Sequence, residues 1–415
     1  MSQQPQLTII IPTRNRAETL VHTLRTCTEQ EYDHLRIIVS DNMSSDGTRQ
    51  VVESCGDHRV EYINPGESLS MSYHWEFALS HVTNGYVSIL GDDDGFIAGA
   101  VQYAADIITR TGTKALSTNF GTYWWSSVFD KARANQLHIS FRSGYETLDA
   151  ATELGYVMSG RKHYLAIPCL YNSFIHTSLI AKAKQPTDQF FHSQIPDVYS
   201  SVAITGLLDS FVYSHKSLKV FGISGKSNGA AHLGKPGNES VANLFYQEPT
   251  IPIHPLASDT LGKSIGLIIG ESLLQSFDAG LNQQWKAKFN WRIFFEAAIR
   301  EANTSGSGQK DEIYRNIREI AQKNDLPDYD TDNLASRSIS AAAAINVVSR
   351  LKDLVAIVDA RDYEVDNIFG ACALYEAIYE RPSTYPEIVW STLSKLTETA
   401  AFKTLLSYIG IRSQN

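Results

Sequence analysis

The first hundred residues alternate short, wholly apolar runs with helix-period stretches, and this alternation constrains the chain more than any other feature. Leu7–Ile11 is an unbroken apolar run, and a helical pattern follows over about 17–27. Arg36–Ser40 reads as a second strand, with SSDGT (Ser44–Thr48) opening a helix that runs to about Ser54. Val60–Ile63 reads as a third strand, Ser70–Ser80 as a third helix and Tyr86–Leu90 as a fourth strand. Strand and helix in strict alternation predict a parallel sheet with crossover helices. Such sheets are covered on both faces, which is why III and VSIL carry almost no polar residue.

Beyond residue 115 the pattern loosens. Short strands are expected at Ala115–Thr118, Phe174–His176, Phe211–Tyr213 and Lys219–Ile223, with irregular connections between them. Gly225–Ser240 holds four glycines and a proline and reads as a surface loop. Past Pro255 the apolar spacing turns helical, as at Leu261, Ile265 and Ile268 and again at Ile313, Ile317 and Ile320. Further helices are expected over Leu334–Val358, Val365–Tyr379 and Glu387–Tyr408. The chain thus divides into an α/β domain over residues 1–240 and an all-α domain over residues 241–415.

Charge and cysteine content narrow the function classes. With 36 Lys and Arg against 45 Asp and Glu, the net charge of −9 argues against a broad nucleic-acid-binding surface. A modified nucleic acid stays open only as an acceptor. No apolar run approaches the roughly 18 residues that a membrane-crossing helix needs. The N-terminus has neither the basic flank nor the long apolar segment of a signal peptide, so a cytoplasmic location is expected. Cys27, Cys55, Cys169 and Cys372 lie far apart, which fits a reducing compartment and speaks against a cysteine zinc site. There is no G-x-G-x-x-G after the first strand, which removes a dehydrogenase.

Four segments carry chemistry. Pro12-Thr13-Arg14-Asn15-Arg16 follows the first strand, at the carboxyl edge where open α/β sheets bind ligands. Asp41 ends the second strand on the same edge and can accept a base N–H or a ribose hydroxyl. Nearby Asp46 reads as a helix-start residue instead. Asp92, Asp93 and Asp94 follow the fourth strand directly. Three adjacent carboxylates repel one another unless a cation neutralises them, and hard divalent ions are shared between one or two carboxylates and substrate phosphates. Asp197, in QIPDVYSSVA, stands at a predicted helix start, where a carboxylate is favourable. Trp124 and Trp125 read as core rather than as a sugar-stacking platform.

The order PTRNR, SDNMSSDGT, GYVSILGDDDG resembles the family 2 glycosyltransferases of the GT-A fold, closely over about 5–110 and loosely to about 230. The resemblance implies a nucleotide-sugar donor, most often a UDP-sugar, a Mn²⁺ or Mg²⁺ ion, and inversion at the anomeric carbon in one displacement. It implies that Pro12, Thr13, Arg14, Arg16 and Asp41 hold the nucleoside and that Asp92 and Asp93 face ribose and pyrophosphate. It places Asp93, Asp94 and His232 on the metal and makes Asp197 the general base. Two departures stand out. Gly91 falls where the family commonly has the first aspartate of D-x-D-D, so the metal's carboxylate stays open between an Asp92/Asp94 pair and Asp93. The family's arginine before the third helix is missing from Glu67–Trp75. The implied acceptor is a glycan, a lipid-linked molecule or another hydroxyl, with bacterial surface glycan synthesis as the default setting. The helical domain is left with acceptor binding or self-association. The rival readings are a sugar nucleotidyltransferase, which would want a glycine-rich first loop that PTRNRAETL lacks, and a non-catalytic sugar-binding module.

Overall fold

Residues 4–227, 249–260, 263–303, 305–326 and 355–381 are described in the computed structural model. Strands β1 (Leu7–Thr13), β2 (Leu35–Asp41), β3 (Val60–Ile63) and β4 (Tyr86–Ile89) stand in the order β4-β1-β2-β3, all in parallel. Helices α1 (Ala17–Thr28), α2 (Thr48–Glu53) and α3 (Met71–Ser80) connect them, as the alternation predicts. Successive residues of β1 serve opposite cores: Ile9 and Ile11 pack on one face of the sheet, Ile10 with Val87 and Ile89 on the other. Period-two alternation with both faces covered leaves no position on β1 for a polar side chain in that stretch.

The rest of the sheet is antiparallel in most of its pairings. After β5 (Gly95–Phe96) and helix α4 (Ala100–Thr111) come β6 (Ala115–Trp124), β7 (Gln136–Ser140) and β8 (Tyr145–Asp149). Helix α5 (Ala150–Met158), strand β9 (Ser173–His176), helix α6 (Thr177–Lys184), helix α7 (Pro196–Thr205) and strand β10 (Ser210–Ile223) follow. β9 lies between β4 and β6, antiparallel to both, and links the parallel half to the rest. The two strands expected at Phe211–Tyr213 and Lys219–Ile223 are one strand, β10. Register shifts between Ser214 and Lys219 interrupt its pairing with β6, which is why its apolar pattern breaks in the middle.

The C-terminal stretch is helical through α8 (Ile265–Asp278), α9 (Gln283–Lys286), α10 (Trp291–Asn303) and α11 (Ser307–Lys323). These helices join the core that covers α3, α5 and α7. Of the helix expected over Leu334–Val358, residues 334–354 lie outside the described residues and the last four are strand instead: β11 (Val355–Asp359) pairs antiparallel with β7 at the sheet edge. Helix α12 (Ile368–Tyr379) then packs into the opposite core, beside α1. The tail of the expected all-α part thus returns to the N-terminal sheet. Five residues of alternating burial look the same in sequence whether they extend a helix or edge a sheet. Most of Gly225–Ser240, with His232, and the helix expected over Glu387–Tyr408 lie outside the described residues.

Candidate functional site

The turns after β1, β2 and β4 meet at the carboxyl edge of the parallel strands, and short polar contacts join them. In register, Thr13 stands beside Asp41. The Thr13 hydroxyl donates to Asp92 Oδ2 at 2.7 Å, and Arg16 Nη1 donates to Asp92 Oδ1 at 2.8 Å. The turns after β1 and β2 are latched by Asn15, whose N–H donates to Ser44 Oγ at 2.8 Å and whose Oδ1 accepts the Ser45 N–H at 2.7 Å. Asn15 adopts a left-handed backbone (φ 54°), a conformation asparagine tolerates better than most residues. Asp46 has the structural role expected of it. It accepts the N–H of Thr48, the first residue of α2, and of Ala17, the first residue of α1.

Asp41 is buried, with Oδ1 accepting the Ser44 N–H at 2.9 Å and Oδ2 accepting the Tyr62 hydroxyl at 2.8 Å. Each carboxylate oxygen keeps a lone pair for a ligand donor. Behind it His74 shares a 2.8 Å hydrogen bond with Ser40. Burial, with the Arg14 charge adding, pushes His74 down to about 4, so the imidazole is neutral at ordinary pH.

The three aspartates do different work. Asp92 is spent on Thr13 and Arg16; burial raises its pKa while the guanidinium opposes the shift. Asp93 Oδ2 accepts the hydroxyls of Ser224, at 2.6 Å, and Ser227, and its backbone carbonyl accepts the Trp125 indole N–H at 3.0 Å. Its Oδ1 has no hydrogen-bond partner among the described residues. Asp94 is fully buried and turns inward, taking N–H groups from Gly222 at 2.7 Å and Gly91 at 3.1 Å and the hydroxyl of Tyr171. Burial, reinforced by the Asp93 charge, lifts Asp94 to about 7.

Three adjacent aspartates are expected to need an outside cation. Within the chain, however, Arg16 and Lys219 already supply positive charge. Lys219 is fully buried on β10, and its ammonium donates to Ser88 Oγ at 2.8 Å, Tyr171 O at 2.8 Å and Ile89 O at 3.2 Å. Burial lowers it to about 8, with Asp94 opposing the shift. Among the described residues no group of three or more His, Cys, Asp or Glu side chains is placed to hold a metal. Among the described residues, a divalent ion fits in the mode that uses one protein carboxylate and substrate phosphates, through Asp93 Oδ1. Asp94, placed on the metal by the resemblance, has both oxygens engaged inside the fold.

The Gly91 departure has a steric cause. A Cβ on Gly91 would lie 2.6 Å from the Tyr171 hydroxyl and 2.7 Å from Asp94 Oδ2. The space an aspartate would need is filled by residues arriving from elsewhere. Gly222 is similarly close, its virtual Cβ 1.8 Å from the Asp93 carbonyl, so β10 passes directly against the acidic turn.

The base expected at Asp197 stands at the start of α7, with Pro196 in the first helical position. Every other residue of α7 is buried, and Asp197 alone keeps partial access. Its Oδ2 accepts the Tyr164 hydroxyl at 2.5 Å. Burial raises its pKa, and the Tyr164 bond and first-turn N–H groups oppose the rise. The helix is tied to the β4 end of the sheet: Leu170 accepts the Ile89 N–H at 2.7 Å and donates its own N–H to Ser200 Oγ at 3.2 Å. Tyr164, Tyr171, Lys219, Ser224 and Ser227 were not singled out by sequence. Tyr171 lies 77 residues from Asp94 and Tyr164 lies 33 from Asp197, separations at which no local pattern signals a contact. Trp124 and Trp125 are buried, as expected of core residues.

A curated relative, the GalNAc(5)-diNAcBac-PP-undecaprenol beta-1,3-glucosyltransferase of Campylobacter jejuni, is 33% identical over 101 residues. That alignment spans 24% of this chain and 33% of the relative. Among solved structures, S. aureus TarS 1-349 in complex with UDP-GlcNAc is 13% identical with a TM-score of 0.45, over 84% of this chain and 92% of that one. The mannosyltransferase PcManGT from Pyrobaculum calidifontis, in complex with GDP-Man and Mn²⁺, is 15% identical with a TM-score of 0.39, over 78% of this chain and 88% of that one. Residues 8–160, which contain the turns after β1, β2 and β4, match the family described as Glycosyl transferase family 2.

Proposed function

We propose that the protein transfers a sugar from a nucleotide-sugar, a UDP-sugar by the family resemblance, to an acceptor hydroxyl with inversion, and that Asp197 is the general base. The observation that carries this reading is α7: a helix buried throughout except for one first-turn carboxylate, tied through Leu170 to the end of β4, the strand that runs into Asp92, Asp93 and Asp94. Pro12, Thr13, Arg14, Arg16 and Asp41 form the nucleoside side of the site, with Asp41 accepting from base or ribose. Asp92 holds Arg16 toward the pyrophosphate. Asp197 takes the acceptor's hydroxyl proton; the freed oxygen attacks the anomeric carbon, and the bond to the nucleotide phosphate breaks with its electron pair leaving on the phosphate. A Mg²⁺ or Mn²⁺ ion, held by Asp93 and by His232 of the family pattern, would neutralise charge developing on the departing pyrophosphate. The named activity of the Campylobacter relative supports a glycan or lipid-linked acceptor; a cytoplasmic step of surface glycan assembly is the setting that the family resemblance implies. Residues 241–323 would serve acceptor binding or self-association.

The test is donor turnover and donor binding in one protein. Asp197→Asn is expected to keep UDP-sugar affinity while transfer falls by roughly 10²-fold or more, the scale of a lost general base. Near wild-type turnover in that variant would move the base elsewhere. Calorimetry giving equal UDP affinity in Mn²⁺ and in EDTA would remove the metal from the reading.

A further inference from the structure

We propose that Tyr164 is the positioning residue of the Asp197 base: its hydroxyl holds the carboxylate ionised and fixes the direction in which it faces the acceptor. The inference rests on the reading of Asp197 as base. Tyr164 opens a short 3₁₀ turn, Tyr164–Ala166, and its ring is buried. The turn itself is held in place. Asn172, fully buried, donates to Leu165 O at 2.9 Å and to Thr118 O on β6 at 2.6 Å, and His163 Nδ1 accepts the Leu165 N–H at 3.3 Å. A tyrosine anchored to the sheet thus reaches the one accessible residue of α7.

The surroundings explain why the contact matters. The ionisable groups that act on Asp197 are Tyr164, the Cys169 thiol and the Tyr171 phenol. Burial raises the pKa of all three, Cys169 to about 12, so each is neutral at working pH. Glu76 and Glu271, on helices α3 and α8 packed against α7, act on Tyr199 instead. Among the described residues, no cation is among the groups that act on Asp197. A carboxylate withdrawn from water without a cation drifts toward the protonated form, in which it is no base. The Tyr164 hydroxyl and the N–H groups of Asp197 and Val198 are the donors that oppose this. The N–H groups belong to the helix and are fixed; Tyr164 is the one side chain on which the carboxylate's charge and direction depend.

Tyr164→Phe keeps the ring and removes the donor. The measurement is the pH profile of kcat for hydrolysis of UDP-glucose and UDP-N-acetylglucosamine. The acid limb is expected to move up by about one unit or more, kcat at pH 7 to fall about tenfold or more, and donor KM to stay within about twofold. Raising the pH should restore most of the lost rate, which a merely structural defect would not allow. If turnover is too slow to profile, the carboxyl stretch of Asp197, isolated by infrared difference against Asp197→Asn, reads the same pKa. An unmoved acid limb or unmoved carboxyl pKa overturns the proposal. So does a rate loss equal at every pH. If Tyr164→Phe does not fold, 3-fluorotyrosine at position 164, a stronger donor, should move the limb down, and no movement overturns the proposal. Full activity in Asp197→Asn would instead sink the base assignment itself, so the two failures are distinguishable.

Discussion

Gly91 shows how one residue records its surroundings. The family's aspartate is absent there because the Tyr171 hydroxyl and Asp94 Oδ2 occupy the volume a side chain would take. Gly91→Asp would add bulk and a fourth carboxylate to a buried turn. It is expected to destabilise the protein by roughly 2–4 kcal/mol, read as a lowered midpoint in urea at constant m. An unchanged midpoint would mean that Tyr171 swings clear at little cost. The same crowding separates the three aspartates: Asp92 and Asp94 are consumed by internal partners, and Asp93 alone keeps an unpartnered oxygen among the described residues.

Elements meet at this site through their ends rather than their faces. Asp46 holds the first N–H of both α1 and α2, and so sets where each helix begins relative to the nucleoside turn. Burial is the largest single influence and opposes its charge, but the Thr48 hydroxyl, the Ala17 and Thr48 N–H groups and Lys226 together outweigh it and lower its pKa. A depressed carboxylate stabilises the fold above its unfolded pKa, near 3.9, and that contribution is lost as pH falls through the lower folded value. Asp46 is exposed and its charge is screened by solvent, so Asp46→Ala should cost about 0.5–1 kcal/mol at pH 7, and the gap to wild type should narrow below about pH 4. Urea titrations at the two pH values check this; a gap independent of pH would mean that the charge contributes nothing.

At the scale of the whole molecule, the helical stretch after residue 264 is built, through α8, against α7, the helix that carries Asp197. Glu271 on α8 is buried and accepts the Ser193 hydroxyl at 2.6 Å, the His254 N–H at 3.2 Å and Gln275 at 2.8 Å. Ser193 lies four residues before Asp197, and Glu76 on α3 accepts the neighbouring Phe190 and Phe191 N–H groups at 2.9 and 3.0 Å. Glu271→Ala strands those donors in the core and should cost roughly 3 kcal/mol, with turnover falling alongside; Glu271→Gln should recover most of both. Equal thermal midpoints for the alanine variant and wild type would detach α8 from the site. The sequence by itself determined the parallel half of the sheet, the order of its crossovers and the places where Asp41, Asp92–Asp94 and Asp197 stand, because apolar period and turn chemistry are local and a strand end is where an open sheet binds. Only the tertiary structure decided which aspartate keeps a free oxygen, that β10 is one strand, that β11 and α12 return to the sheet, and that Tyr164 meets Asp197. Those outcomes depend on side chains dozens to hundreds of residues apart competing for the same buried volume and the same hydrogen bonds, and no local window of sequence contains both partners.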